Sequence, residues 1–199
     1  MELVQFTTRS HLDAMHSQFP DALFYDTSTH APYALDLPFV QDASSFSPFV
    51  PYGGIPIPGF RNKRSDSVEG IWQGLKVISG KIDQSHFHGK GRRRFGKVRG
   101  HQYGDRVLGY AEARLQIYAP SYRYMVKNSV PREILEKIYD YARDDIRQFF
   151  FDVDENPNIA DISSPFAHSS LLVSIINEEL QSDNDSISGN DSRTYSARP

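Results

Sequence analysis

Apolar residues recur with helical period over residues 67–78. Val68, Ile71, Trp72, Leu75 and Ile78 fall at the i, i+3, i+4, i+7 spacing of a core-facing stripe. The same period puts Glu69, Gln73 and Lys76 together on another face. Gly70 and Gly74 stand four apart beside them. Each glycine costs a helix about 1 kcal/mol against alanine, so the pair predicts that another element or a ligand comes close to the backbone here. A carboxylate, an amide and an amine beside that approach make either a polar site or a solvated face with one Glu–Lys pair.

Elsewhere the pattern is less regular. Residues 3–6 read as a short strand, and 9–19 as a short helix that stops before Pro20. Residues 26–64 are rich in Pro, Gly and Ser without a sustained period, yet they hold Phe39, Phe46, Phe49, Tyr52, Ile55 and Ile57. A long apolar loop of this kind is expected to pack over a site. Ser67 or Asp66 is placed to cap the glycine-bearing helix. Residues 107–127 read as a long helix with Leu108, Ala111, Leu115 and Tyr118 on one stripe, which Pro120 should kink or break. Pro131 opens a further helix to about residue 143, with Ile134, Leu135 and Ile138 inward. Residues 148–153 read as a buried strand containing Phe149, Phe150 and Phe151. A last helix is expected over about 164–180, and the Ser/Asn/Asp-rich stretch 181–199 is expected to be disordered. The prediction is a single α+β, helix-rich domain over 1–180 with few short strands and a disordered C-terminal tail.

Composition narrows the function classes. The 199 residues, 39% hydrophobic and 13% aromatic, suit one globular domain. A formal net charge of −3 argues against nonspecific nucleic-acid binding by the whole chain, although local patches remain open. The absence of cysteine excludes disulfides, Cys–Zn sites and thiol nucleophiles. No apolar run approaches the roughly 18 residues of a membrane span. The opening MELVQFTTRSHLDAMHSQFP lacks a basic stretch followed by an apolar one, so no signal peptide and a cytoplasmic location are expected.

Three segments carry candidate chemistry. Residues 89–101 bring Lys90, Arg92, Arg93, Arg94, Lys97 and Arg99 together among glycines. Arginine forks and glycine backbone suit a phosphate, whether of a nucleotide, an ADP-ribose diphosphate or a nucleic acid; a solvated loop is the alternative. No GxxxxGK[ST] loop is present. Asp152, Asp154 and Glu155 end a strand, where catalytic carboxylates often face a cleft, but Asp154-Glu155-Asn156-Pro157 also reads as a turn. His86 and His88 form an HxH pair with no evident third ligand. Trp72 reads as core.

The segments Ser47-Pro48-Phe49-Val50-Pro51 and Ser67-Val68-Glu69-Gly70, with Trp72-Gln73-Gly74-Leu75-Lys76, resemble the opening of NADAR (YbiA-like) domains. That family carries an S/T-V-E-H-x-x-Q-x-x-K helix. Gly91-Arg92 and Arg99-Gly100 resemble the basic region that follows it, and the likeness covers roughly residues 45–178. Gly53-Gly54-Ile55-Pro56-Ile57-Pro58-Gly59 and the stretch from Ala113 to Tyr122 resemble a divergent bacterial branch of the same group. The resemblance implies an N-glycosidase acting on a phosphate-bearing nucleoside or an ADP-ribosyl adduct such as ADP-ribosylated guanine. Glu69 and Asp152 would then be catalytic, with Asp154 as the other candidate for the second acid. Gln73, Lys76, Arg92, Arg94 and Arg99 would bind substrate, and Phe49 or Tyr103 would stack on the base. No metal or cofactor is called for. The partner would be a small phosphate-bearing nucleoside or an ADP-ribosylated nucleic acid. The other reading of these residues is a non-catalytic module that binds ADP-ribose, a nucleotide or nucleic acid in the same pocket.

Overall fold

The computed structural model describes residues 2–190, with side chains to residue 183. The fold is α+β. Its first layer is a parallel sheet built from β1 (Val4–Phe6), β2 (Leu23–Asp26), β3 (Val40–Asp42) and, from much later in the chain, β9 (Gln148–Phe151). Strand order is β1-β9-β2-β3, and all three pairings are parallel. A parallel strand buried on both faces needs apolar residues without alternation, and Phe149, Phe150 and Phe151 supply them. Phe149 and Phe151 meet Leu12, Phe24 and Val40 on one face, beneath α1 (Leu12–Gln18) and α2 (Pro32–Asp36). Phe150 points the other way, with Val4 and Tyr25, into the larger core.

That larger core is closed by helices. α3 (Val68–Gly74), α4 (Tyr110–Ala113), α5 (Ala119–Asn128), α6 (Arg132–Arg143) and α7 (His168–Asn190) all follow the first three strands. β4 (Ile55–Pro56) pairs with β5 (Arg64–Ser65), and β6 (Lys76–Ile78), β7 (Val98–Tyr103) and β8 (Arg106–Leu108) form an antiparallel sheet beside α3. Tyr122 of α5 is fully buried and donates its hydroxyl to Phe46 O at 2.8 Å, which ties the early loop to the helical layer. Ion pairs Arg123–Glu178 and Lys127–Glu179 join α5 to α7. Among the described residues no helix is long and apolar enough to cross a membrane.

The structure corrects several boundaries. The helix expected over 67–78 stops at Gly74, and Lys76–Ile78 form a strand against β7, with Lys76 opposite His101. Burial alternates beyond this break as in a strand, with Val77 buried and Ile78, the last residue of the expected stripe, only half-buried. Residues 106–108 are a strand, and the central helix starts at Tyr110. Pro120 does not break it. A π turn over Arg114–Tyr118 lies immediately ahead of Ala119-Pro120, and such a turn relaxes the bonding that proline cannot join. The last helix begins at His168, later than the expected 164, and runs to Asn190. Residues 191–199 lie outside the described residues.

The glycines of α3 have a protein neighbour. A Cβ on Gly70 would stand 2.7 Å from His86 O and 2.9 Å from Ser65 Oγ, and one on Gly74 would stand 2.4 Å from the Phe87 ring. The approaching element is the 3-10 turn Gln84–Phe87. Ser67 caps α3 by accepting from Gly70 N at 3.0 Å, and its hydroxyl donates to Gly89 O at 2.8 Å. Gly70→Ala should therefore lower stability by about 1–3 kcal/mol, as overpacking does, instead of gaining the roughly 1 kcal/mol of helix propensity. Chemical denaturation of the two proteins checks this; a more stable variant would show that the contact is loose.

Candidate active site

A cleft of about 430 Å³ opens where the carboxyl ends of β2 and β9 face α3 and the π turn. Glu69, Trp72 and Gln73 reach it from α3, and Lys76 from the start of β6. Ser47, Pro48 and Phe49 line another side. That loop is fixed to α3, because Glu69 N donates to Pro48 O at 2.9 Å. Tyr110, Arg114 and Tyr118 come from the central helix, and Asp154, Pro165, Phe166 and His168 from the segment between β9 and α7.

Glu69 is held by a chain of defined direction. Gln73 Oε1 accepts from Lys76 Nζ at 2.7 Å and from Arg94 N at 3.0 Å. Both partners can only donate, so the amide nitrogen of Gln73 is the end turned toward Glu69, and it donates to Oε1 at 2.5 Å. Arg94 is itself fixed at the carboxyl end of α3, where Nη1 donates to Gln73 O, Gly74 O and Lys76 O at 3.2, 3.4 and 2.6 Å. Lys76 thus reaches Glu69 through Gln73. Burial raises the Glu69 pKa above its ordinary value; the Gln73 bond, Lys76 and Arg93 oppose the shift, and Asp154 adds to it. Burial also lowers Lys76, helped by Arg93 and Arg94 and opposed by Glu69.

Across the cleft, Asp154 is half-buried and its pKa is raised by burial and by Asp152, against the pull of His168, Arg9 and Arg114. Asp152 does not line the cleft. It is fully buried, with Oδ1 accepting from Asp154 N at 2.6 Å and Oδ2 from Ser169 N at 2.9 Å and Ser169 Oγ at 2.8 Å. His168 Nδ1 lies 3.1 Å from the same Oδ2. Asp152 therefore ties the end of β9 to the start of α7 and sets the backbone of Asp154. Arg114, also buried, donates to the carbonyls of Asp161 at 2.5 Å and Ser164 at 2.8 Å and so pins the acidic loop.

Aromatic rings shape the rest. Trp72 stacks on His101 with centroids 3.8 Å apart. Burial pushes His101 down to about 3, with Lys76 adding to it, so this imidazole is a neutral flat ring beneath Trp72. The Tyr118 phenol is driven well above its ordinary value by burial, by Tyr122 and by Glu69, Asp152 and Asp154, which keeps it a neutral hydrogen-bond group.

The expected site is thus partly assembled. Phe49, Glu69, Gln73 and Lys76 meet in the cleft. Asp152, Arg92, Arg94, Arg99 and Tyr103 do not line it. Arg94 is spent on the carbonyls of Gln73, Gly74 and Lys76. Arg92 and Arg99 are exposed outside the cleft, and Tyr103 packs against the core with Arg106 over its ring. Arg93, next to two named arginines, is the one that enters. Trp72, assigned to the core, is 8% exposed and also forms cleft wall. Arg114 and His168 carry no spacing signal, and the helical period marks Tyr118 only as a stripe residue; the π turn and the β9–α7 crossing bring them in.

A family profile matches residues 7–172. The chain belongs to the DUF6939 family of unknown function. No curated protein and no solved structure matches it. The matched segment includes every cleft residue named above, so the cleft belongs to the part of the chain that defines the family.

The raised Glu69 pKa has a consequence for stability. A carboxyl group with a native pKa above its unfolded one retains more protons in the native state, so stability falls as pH rises through that interval. The penalty is absent below the ordinary value of 4.5 and complete above the raised native value. Glu69→Gln should therefore raise the Tm at neutral pH and match the wild type below the ordinary value. Melting curves across that range check this, and a variant less stable at neutral pH would show that the charge is favourable where it stands.

Proposed function

We propose that the protein is an N-glycosidase that hydrolyses the N-glycosidic bond of a phosphate-bearing nucleoside or an ADP-ribosyl adduct. The observation that carries this reading is a pair of cleft carboxyl groups, Glu69 and Asp154, in different electrostatic settings. Glu69 receives the Gln73 amide and faces Lys76 and Arg93, which favour its ionised form. Asp154 has Asp152 as its neighbouring charge, which favours its protonated form. Burial raises both above their ordinary values, and acid–base hydrolysis of a glycoside requires two such carboxyl groups at one cleft, one to hold a proton and one beside cations to lose it.

In this mechanism Asp154 gives its proton to the departing base. The ribosyl centre gains oxocarbenium character, and ionised Glu69 stabilises it and takes a proton from the attacking water. Arg93 and Lys76 hold the phosphate side, and Phe49 and Trp72 supply flat apolar surface for the base or sugar. The likeness to NADAR domains supports the same assignment of Glu69, Gln73 and Lys76. It placed the second acid most readily on Asp152; the cleft favours Asp154. A nucleotide-directed activity of this kind fits a cytoplasmic protein.

Glu69→Gln and Asp154→Asn should each lower kcat/KM by about 10²–10⁴-fold, the usual contribution of one positioned acid or base. Release of free base from ADP-ribosylated guanosine and from phosphoribosyl-aminopyrimidine substrates is the assay. Wild-type turnover retained in both variants would refute the assignment. No release from either substrate by the wild type, with ADP-ribose still bound, would favour the non-catalytic binding module.

A further inference from the structure

The cleft absorbs one cation of the basic segment, Arg93, and the fold absorbs Arg94. Lys90, Arg92, Lys97 and Arg99 are left exposed, and no carboxylate among the described residues forms a salt bridge with any of them. Phe95 stands among them, 82% exposed, with the Arg93 guanidinium 5.7 Å from its ring centre. The segment is nevertheless firmly mounted. Gly91 packs so closely on α3 that a Cβ there would lie 2.6 Å from Gly70 N, and Arg94 bonds the α3 carbonyls of Gln73 and Gly74. The molecule as a whole is acidic, at −3, so this concentration of unpaired cations is local.

We propose that residues 90–99 form a docking strip for a single-stranded polynucleotide, with Arg92, Lys97 and Arg99 on its phosphates and Phe95 stacked on a base. The inference deepens the N-glycosidase reading, because it makes the substrate base part of a strand. Chemistry favours a nucleic acid over other polyanions. Arginine forks match phosphate oxygens, and an exposed phenylalanine beside a guanidinium gives an unpaired base a stacking surface. An acidic peptide would use the charges but leave the ring without a role. Arg93 links the two regions, since it touches Phe95 on the strip and lines the cleft that holds Glu69. A strand lying on the strip thus passes the mouth of the cleft, where one nucleotide turned inward would meet the two carboxyl groups.

Fluorescence anisotropy with a labelled, unmodified single-stranded oligonucleotide tests this without any turnover. The full-length protein should bind it more tightly than the matching duplex, with affinity falling as salt rises. Arg92→Gln and Lys97→Gln should each flatten the slope of log affinity against log salt by about 0.7. Phe95→Ala, a change at an exposed side chain, should weaken binding by about 5–150-fold, the range of one lost base stack, and leave the salt slope unchanged. Three results would overturn the proposal: no binding of the oligonucleotide, affinity unaffected by Phe95→Ala, or tighter binding of polyglutamate or anionic vesicles than of the strand. Failure here with small-substrate hydrolysis intact would leave the N-glycosidase reading standing; strand binding without hydrolysis would do the reverse.

Discussion

The site depends on how closely residues 83–94 approach α3. Backbone meets backbone at positions 70 and 91, and the Phe87 ring packs on position 74, because none of the three carries a side chain. From that contact Arg94 gains access to the carboxyl end of α3, and its N–H reaches the Gln73 amide oxygen. Gln73 is thereby turned so that its NH₂ group addresses Glu69. A packing constraint at glycine becomes the orientation of a carboxylate. The two helix-weakening residues are the condition for an oriented polar face, which reverses their ordinary cost.

The opposite wall rests on a different device. β2 and β9 are neighbours in a parallel sheet although the 121 residues 27–147 lie between them. Their carboxyl ends therefore open side by side, as ligand sites in such sheets commonly do. Buried aspartates organise both ends. Asp26 accepts from Ser28 N at 2.9 Å and Tyr33 N at 3.0 Å, while Asp152 accepts from Asp154 N and Ser169 N. His168 joins the two ends, with Nε2 at 3.0 Å from Thr27 Oγ1 and Nδ1 against Asp152. Asp154 inherits its position from this network, as Glu69 does from Gln73.

What the sequence made legible follows from range. Glu69 and Gln73 share a helix turn, so their contact is written in local spacing. Lys76 reaches Gln73 from a strand, so helical period is not the reason it joins them. The buried strand at Phe149–Phe151 was visible as an apolar run, but a short run does not reveal its partners, so the parallel sheet went unread. The same limit hid the difference between Asp152 and Asp154. They lie two residues apart, and only the Ser169 and His168 contacts from α7 bury one and leave the other facing the cleft. Among three successive arginines, composition does not tell which side chain is spent on the end of the helix.

Glu69 and Asp154 line one cleft, and the Asp154 charge adds to the upward shift that burial gives Glu69. Carbon-13 titration of side-chain carboxyl groups measures this directly, in the wild type and in Asp154→Asn. The account predicts a Glu69 midpoint above its ordinary value of 4.5 that moves down when Asp154 loses its charge. A midpoint at or below the ordinary value, unmoved by Asp154→Asn, would contradict it.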